Sequence, residues 1–583
     1  MFKKSTIFVL FMVLVFVLTA CGGPTVAATE KPPVEPKPTE APTIAPEKPT
    51  EVPPTEAPKQ PVVLRVAVGA GFATRNPTVS SLAVETRLFM LIYERLFEIG
   101  LDGAYHPLLA EKYVSSPDGL VWTFTINKGV MWHDGKPLTA KDVAFSFNLF
   151  KKYEDFPSMH GYTKHLTKAE ATNDSTVVVT LDQALPNIED TVGNMWIIPE
   201  HIWGPLDDGT SKQITGYPNT EMIGSGSFKL VEYKEGEFIR LAANKEHWFR
   251  PPKIDELIWM LFNNNDAQTQ ALVSGQVDQS GIPATAIATL KNDPNIKIVI
   301  GQAVTTHLSD IILNQISKEN CPTEGGICSG HPALKDLQVR RALAYATDKQ
   351  KIIDIDLLGL GEPGKTIVAS GTEWFNPNLQ DYAYDLEKAK QTLEDAGYKD
   401  VDNDGVREMP DGKTKLTFRF YIPSDFDTAS RIYEVINESW SQIGVKTEFK
   451  QFDEDAMIAL CNPAFDFDII FWGWFSDPDP NYLLSVLTTE QITSFNSETG
   501  YSNPEYDDLF NQQAKELDHA KRMEMVFKMQ EILLRDAPYI IPYYDQAWTA
   551  YRVDKFTGWP DPDKGERLAP LYPAVMTRIE PVK

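Results

Sequence analysis

Basic charge is scarce in this sequence. Its 55 lysines and arginines face 81 aspartates and glutamates, which leaves a formal net charge of −26 and a pI near 4.8. Such a surface has no basic field to neutralise phosphates, so nucleic acid is excluded as a partner. Acidity of this kind reports solubility and names no ligand. Histidine is sparse too: there are nine, and none falls in a His-Glu-x-x-His or similar metal-ligating spacing. His133-Asp134 invites a catalytic interpretation, but it sits in a β-turn with no serine or cysteine nucleophile positioned near it by the sequence. Without a set of nucleophile, base and orienting group, no enzymatic function is expected. No second long apolar run follows Ala20, so the body is expected to be soluble, and no short-period repeat is visible.

The one long apolar run lies at the start, MFKKSTIFVLFMVLVFVLTACGG. Lys3 and Lys4 open it, and Ile7 to Ala20 spans about 14 residues, too short to cross a bilayer comfortably as a permanent helix. Leu18-Thr19-Ala20-Cys21 resembles the lipobox of bacterial lipoproteins. The resemblance implies a signal peptide over residues 1–20, cleavage before Cys21 and acylation of its thiol. The protein would then be extracytoplasmic (periplasmic or its equivalent) and lipid-anchored to the cell envelope membrane. An ordinary secretory signal with an incidental cysteine is the alternative; the small residues before Cys21 and the glycines after it favour lipidation. Residues 21–62 are rich in Pro, Thr, Glu, Ala and Lys. They carry too little apolar surface to offset the entropy of ordering, which predicts a disordered spacer. At about 3.1 Å per residue in the polyproline limit, its reach is on the order of 100 Å.

Four cysteines occur in all. Cys321 and Cys328 lie in the Gly-rich loop CPTEGGIC of an exported chain, where a disulfide is predicted. Cys461 is left over as a buried thiol. Gly326-Ile327-Cys328-Ser329-Gly330 mimics a nucleophile elbow by letter, but no apolar strand precedes it. Gly359-Leu360-Gly361-Glu362-Pro363-Gly364 likewise matches a dinucleotide pattern while following a helix rather than opening one.

The body, roughly 520 residues, is long enough for three or four domains by the usual length prior. Val62 to Val68 is a dense β-branched strand, and Ser81 to Phe97 has helical spacing. Strands follow at Leu120–Ile126, Thr176–Leu181 and Ile254–Phe262, with a hairpin signal at Lys234-Glu235-Gly236-Glu237. Later, one long amphipathic helix is predicted over Val339–Leu358, and apolar strands at Leu416–Ile422 and Phe467–Trp472. Strands alternating with helices imply an α/β fold with largely parallel sheets.

Several segments, taken in order, resemble the family 5 extracellular solute-binding proteins, receptors of ABC importers for peptides, nickel and oligosaccharides. They are Tyr93-Glu94-Arg95-Leu96-Phe97, then Pro107-Leu108-Leu109-Ala110-Glu111 with Lys128-Gly129 through Asp142-Val143. Gly224-Ser225-Gly226-Ser227-Phe228-Lys229-Leu230, Ala271 through Asp278 and Val339-Arg340-Arg341 through Asp348 follow. The resemblance implies a type II periplasmic-binding-protein fold: two α/β lobes, an additional domain and a hinge crossed twice, near Val304–Leu313 and near Ile541–Tyr544. It assigns residues 63–105, 220–305 and 545–583 to the first lobe, 106–219 to the extra domain and 306–544 to the second lobe. It further implies a monomer that captures an oligopeptide-like solute between its lobes and delivers it to ABC permease subunits. An oligosaccharide or metal-chelate receptor stays open on the same fold. So, in other classes, do an envelope sensor or adhesion protein and an extracellular hydrolase.

The candidate ligand wall is Phe471-Trp472-Gly473-Trp474-Phe475-Ser476-Asp477-Pro478-Asp479-Pro480, a strand end carrying two tryptophans and two carboxylates. By resemblance, an aspartate here grips a peptide's α-amino group; one alignment gives that role to Asp477 and another leaves Ser476 there. Trp472, Trp474, Asp477 and Asp479 are therefore candidate ligand residues, together with Trp374 from a loop and Tyr93 and Glu94 at the end of the first helix. Tryptophans beside carboxylates would equally suit sugar rings. Asp400, Asp402 and Asp404 alternate before Gly405 as at the start of a calcium loop, and Glu408 or Asp411 would complete the shell. A calcium ion is the one cofactor the sequence suggests, and none is required; a solvated acidic turn is the alternative.

Overall fold

The computed structural model describes residues 60–583 apart from 70, 81, 158, 425, 427 and 495. The expectations for the leader, for Cys21 and for the spacer up to residue 59 lie outside the described residues. Among the described residues, no helix is long and apolar enough to cross a membrane.

Val63–Gly69 lies inside a seven-stranded sheet, and Leu64 and Val66 are fully buried there. It runs parallel to Glu256–Phe262 on one side and to Gln279–Ser280 on the other. The outer strands are antiparallel. Phe228–Lys234 and Phe238–Ala243 form the expected hairpin, and Ile296–Gly301 pairs with Ala547–Arg552 from the C-terminal tail. This first lobe is thus assembled from three stretches distant in sequence. Between them, Ala110–Ser115, Val121–Ile126, Thr176–Leu181 and Leu166–Asn173 make a wholly antiparallel four-stranded sheet. Helix Ala140–Lys152 accompanies it, started by a Thr139–Asp142 capping box. One apolar core runs through both sheets.

The second lobe holds a six-stranded sheet in the order Gly361–Pro363, Tyr539–Asp545, His307–Leu313, Ile469–Phe475, Thr417–Pro423, Lys446–Phe452. Successive residues of a strand face opposite sides, so Leu308 and Ile312 join one core while Ile311 and Leu313 join another. The last three strands are parallel, but His307–Leu313 is antiparallel to both neighbours. Both lobes therefore carry mixed rather than largely parallel sheets. The reason is topological: His307–Leu313 leaves the crossing from the first lobe and Tyr539–Asp545 returns to it, so the two must run oppositely.

Two helices depart from their predicted lengths. The predicted Val339–Leu358 helix is two, Leu337–Tyr345 and Lys349–Asp356, because Asp348 caps the second by accepting the Lys351 N–H at 3.0 Å. The first helix spans Ala83–Ile92 and stops short of Phe97. The Gly226 N–H donates to the Ile92 carbonyl at 2.8 Å, and a Cβ on Gly224 would lie 1.9 Å from that oxygen. The glycines at 224 and 226 let this backbone close over the helix end, and the chain turns there. Cys321 and Cys328 form a disulfide with Cα atoms 6.0 Å apart. Cys461 is a buried thiol that burial, with the Glu498 and Asp310 carboxyls, pushes well up.

Candidate ligand cleft

Strand Ile469–Phe475 forms the second-lobe wall. Its first half, Ile469 to Phe471, is fully buried; Trp472 and Trp474 then emerge half-buried on one face. Gly473 between them is required by close approach, since a Cβ there would lie 2.5 Å from the Leu308 carbonyl of the paired strand. The Trp474 indole N–H donates to Glu498 Oε2 at 3.0 Å, and its ring meets Tyr482 edge-on at 6.1 Å. Behind this wall Glu498 also accepts the Tyr539 hydroxyl at 2.8 Å. Asp310, opposite Trp472 in register, is fully buried with neither carboxylate oxygen hydrogen-bonded. Burial pushes Glu498 up to about 7, and burial together with Glu498 pushes Asp310 well above the carboxylate range.

The three polar residues after the strand have different fates. Ser476 is buried against the first interlobe crossing: its N–H donates to the Thr306 carbonyl at 2.8 Å, and its hydroxyl accepts the Thr306 N–H at 3.2 Å. Asp479 accepts Arg522 Nη2 at 2.8 Å and Nη1 on its other oxygen, in a pair buried at both ends. Asp477 is exposed to the cleft and makes no hydrogen bond or ion pair among the described residues. Protein on both sides of the cleft still starves it of water. That loss of solvation, with Asp479 nearby, raises its carboxyl to about 6, while the Arg95 charge pulls the other way.

Arg95 belongs to the opposite wall. Where the first helix ends, Tyr93, Glu94 and Arg95 extend into a cavity with Tyr105, Asn194, Trp196 and Tyr572. Tyr93 is buried and its hydroxyl accepts from Asn219 at 2.8 Å. Glu94 is buried and accepts the Trp248 indole N–H at 3.1 Å, with His247 Nε2 3.3 Å away. These two residues line the cavity while their polar ends are held elsewhere. Arg95 instead stacks on Trp196, 3.7 Å from the ring centroid. Asp190, from the extra domain, accepts the Tyr105 hydroxyl; burial, with Asp477 and Asp479 nearby, drives its carboxyl well up.

Trp374 stands behind the wall. It is 5% exposed, its ring lies 4.6 Å from the Arg522 guanidinium carbon, and its carbonyl accepts from Gln530 at 2.7 Å. It therefore supports the ion pair that holds Asp479. The Asp400 loop lies apart from these residues in the chain. Carboxylate oxygens of Asp400, Asp402 and Glu408 come within 4.8 Å of one another. The Lys415 ammonium lies among them, 2.8 Å from Asp402 and 3.4 Å from Glu408, and also pairs with Asp404. His133 and Asp134 are structural: His133 lies 3.0 Å from the Gly226 carbonyl and Asp134 pairs with His201. Sequence reasoning missed Asp190, Tyr105, Trp196 and Tyr572, which carry no local motif. Arg95 stood inside a quoted motif without a role.

Residues 104–495 match the model of the bacterial extracellular solute-binding proteins, family 5, middle region. The oligopeptide-binding protein AppA of Bacillus subtilis is 29% identical over 445 residues, covering 75% of this chain and 77% of its own. The dipeptide-binding protein of Escherichia coli is 28% identical over 480 residues, 77% of this chain and 83% of its own. Among solved structures, the ABC transporter substrate-binding protein CtaP of Listeria monocytogenes superposes with a TM-score of 0.75 at 25% identity, covering 90% of this chain and 100% of CtaP. Bacillus subtilis AppA, solved with a nonapeptide, gives a TM-score of 0.69 at 24% identity, with 90% and 100% covered.

Proposed function

Because the chain belongs to the bacterial extracellular solute-binding proteins of family 5, we propose that it captures an oligopeptide between its lobes and delivers it to the permease subunits of an ABC importer. The observation that carries the peptide assignment is Asp477, a carboxylate without a partner among the described residues, exposed to the cleft three residues after Trp474 and within electrostatic reach of Arg95. A protonated amine supplies what Asp477 lacks. The tryptophan faces contribute contact area at low entropic cost, and a charge-assisted bond fixes orientation. A neutral oligosaccharide would bring no counter-charge to either Asp477 or Arg95 while displacing their water, which disfavours the sugar alternative. Ligand contacts made only when the lobes are closed shift the population toward the closed form, the form a permease would read. Acylation at Cys21 would tether this receptor to the envelope membrane, and the Pro-rich spacer would give it reach.

Native mass spectrometry of gently purified protein tests the assignment. A carried mass that fragments as a peptide is the expected result; a carried sugar or metal chelate would replace it.

A further inference from the structure

Resting on the peptide assignment, we propose that Arg95 is the anchor for a carboxylate of the ligand, held across the cleft from the amine that Asp477 receives. The side chain is half-buried, with its Nε wholly shielded from solvent, and it is arranged as if awaiting an anion. It lies over Trp196 and donates from Nη1 to Asn194 Oδ1, while its buried Nε has no partner. No carboxylate among the described residues forms an ion pair with it. The buried arginines of the second lobe differ. Arg522 holds Asp479 and Gln513, and Arg340 donates to the carbonyls of Leu334 and Asp536. A guanidinium stays charged under all physiological conditions and presents a planar fork of donors, so burying one without a counter-charge is costly.

The acidic neighbours do not neutralise Arg95. Glu98 lines the same cavity but is tied to Arg250. Asp190 is occupied by the Tyr105 hydroxyl and forms no ion pair with Arg95, and burial, with Asp477 and Asp479 nearby, pushes its carboxyl well up. Asp477 feels the Arg95 charge across the cleft without touching it. The remaining neighbours are the phenols of Tyr105, Tyr162 and Tyr572, of which Tyr162 accepts from Asn194 at 3.2 Å. The stack on Trp196 and the bond to Asn194 fix the fork before ligand arrives, so little freedom is lost on binding. A positive group on one wall and a negative group on the other match a zwitterion, whose carboxylate comes from its C-terminus or from an acidic side chain.

Two degenerate tripeptide pools, one with free C-termini and one amidated, separate these sources when offered to ligand-stripped wild type and Arg95→Met and read by native mass spectrometry. Wild type is expected to take the free-acid pool and, from the amidated pool, only members carrying Asp or Glu if side chains can serve. Neutral amides should bind about 10- to 100-fold more weakly. Arg95→Met should lose that discrimination, and Arg95→Gln replaces it if the methionine variant does not fold. Equal discrimination by variant and wild type, or none in wild type, overturns the assignment. If wild type takes no peptide from either pool, the peptide assignment fails, and a succinate titration followed by tryptophan fluorescence decides the role of Arg95. A saturable change in wild type that is absent from the variant sustains it; equal responses overturn it.

Discussion

Asp479 surrenders both carboxylate oxygens to Arg522, whereas Asp477, two residues earlier, has no hydrogen bond or ion pair among the described residues. Substituting them should therefore fail in different ways. Asp479→Ala leaves the Arg522 charge buried and unpaired, which should cost roughly 3–5 kcal/mol of stability by urea denaturation. Asp477→Asn should leave the ligand-free melting temperature unchanged or slightly raised and weaken peptide binding at least about tenfold by calorimetry. The pH response separates binding from stability in the same way. With its carboxyl at about 6, Asp477 loses its hold on an amine as pH falls through that value, so affinity should drop between pH 7 and 5. Stability of the ligand-free protein should move the other way. Asp477, at about 6, and Glu498, at about 7, both lie above the roughly 4 of an unfolded carboxyl. As pH falls the native state takes these protons first and is stabilised relative to the unfolded chain, so their contribution to melting temperature rises from pH 7.5 to 5. Glu498 faces Asp310, Cys461, Tyr539, Trp474 and Tyr482, none of them basic, so Glu498→Gln should flatten the upper part of that rise. A melting temperature that falls steadily over this range would contradict the assignment of these two groups.

At the scale of elements, the acidic turn and the tryptophan strand show how a local pattern gains or loses its meaning. Asp400 to Gly405 has the alternation of a calcium loop, yet short pairings of Lys399 with Glu408 and of Glu408 with Lys415 bring an ammonium into the same cluster. A calcium ion would have to displace Lys415. We therefore expect a chelator to leave the wild-type melting curve unmoved, and calcium to raise the melting temperature of Lys415→Ala by mass action on its native state. A chelator-induced drop in wild type would show instead that the ion and the lysine share the turn. The tryptophan strand is the converse case. Its alternation is legible, since Trp472 and Trp474 must share a face, but the residue that leaves the strand toward the cleft is not. Ser476 turns inward because the Thr306 backbone needs its hydroxyl and N–H, and that leaves Asp477 to face the cleft.

For the whole molecule, two narrow crossings join the lobes, residues 302–306 and Gln546, each between a strand of one sheet and a strand of the other. So few connections make a rigid-body closure the expected response to ligand. A bound peptide should lower the radius of gyration in small-angle scattering, and Asp477→Asn should stay in the open form at the same peptide concentration. The anchor is a property of the intact chain. Cys21→Ser should move the protein from the membrane to the soluble exported fraction, and a variant that stays membrane-bound would remove lipidation from the account.

The sequence by itself determined those features whose physics is settled within a few residues. These are the alternating strands, the Lys234–Glu237 hairpin, the Cys321–Cys328 loop and the ordered motifs that mark the family. Even at that scale it merged the helices around Asp348, because a cap inside an apolar periodicity leaves the periodicity intact. Tertiary structure alone decided which charges are free. The partner of Asp479 is 43 residues away and that of Ser476 is 170. Arg95 is notable only because folding buries its Nε where, among the described residues, nothing pairs with it. Whether a charged group is satisfied depends on everything brought within a few ångströms of it, and hydrophobic periodicity along the chain carries no record of that.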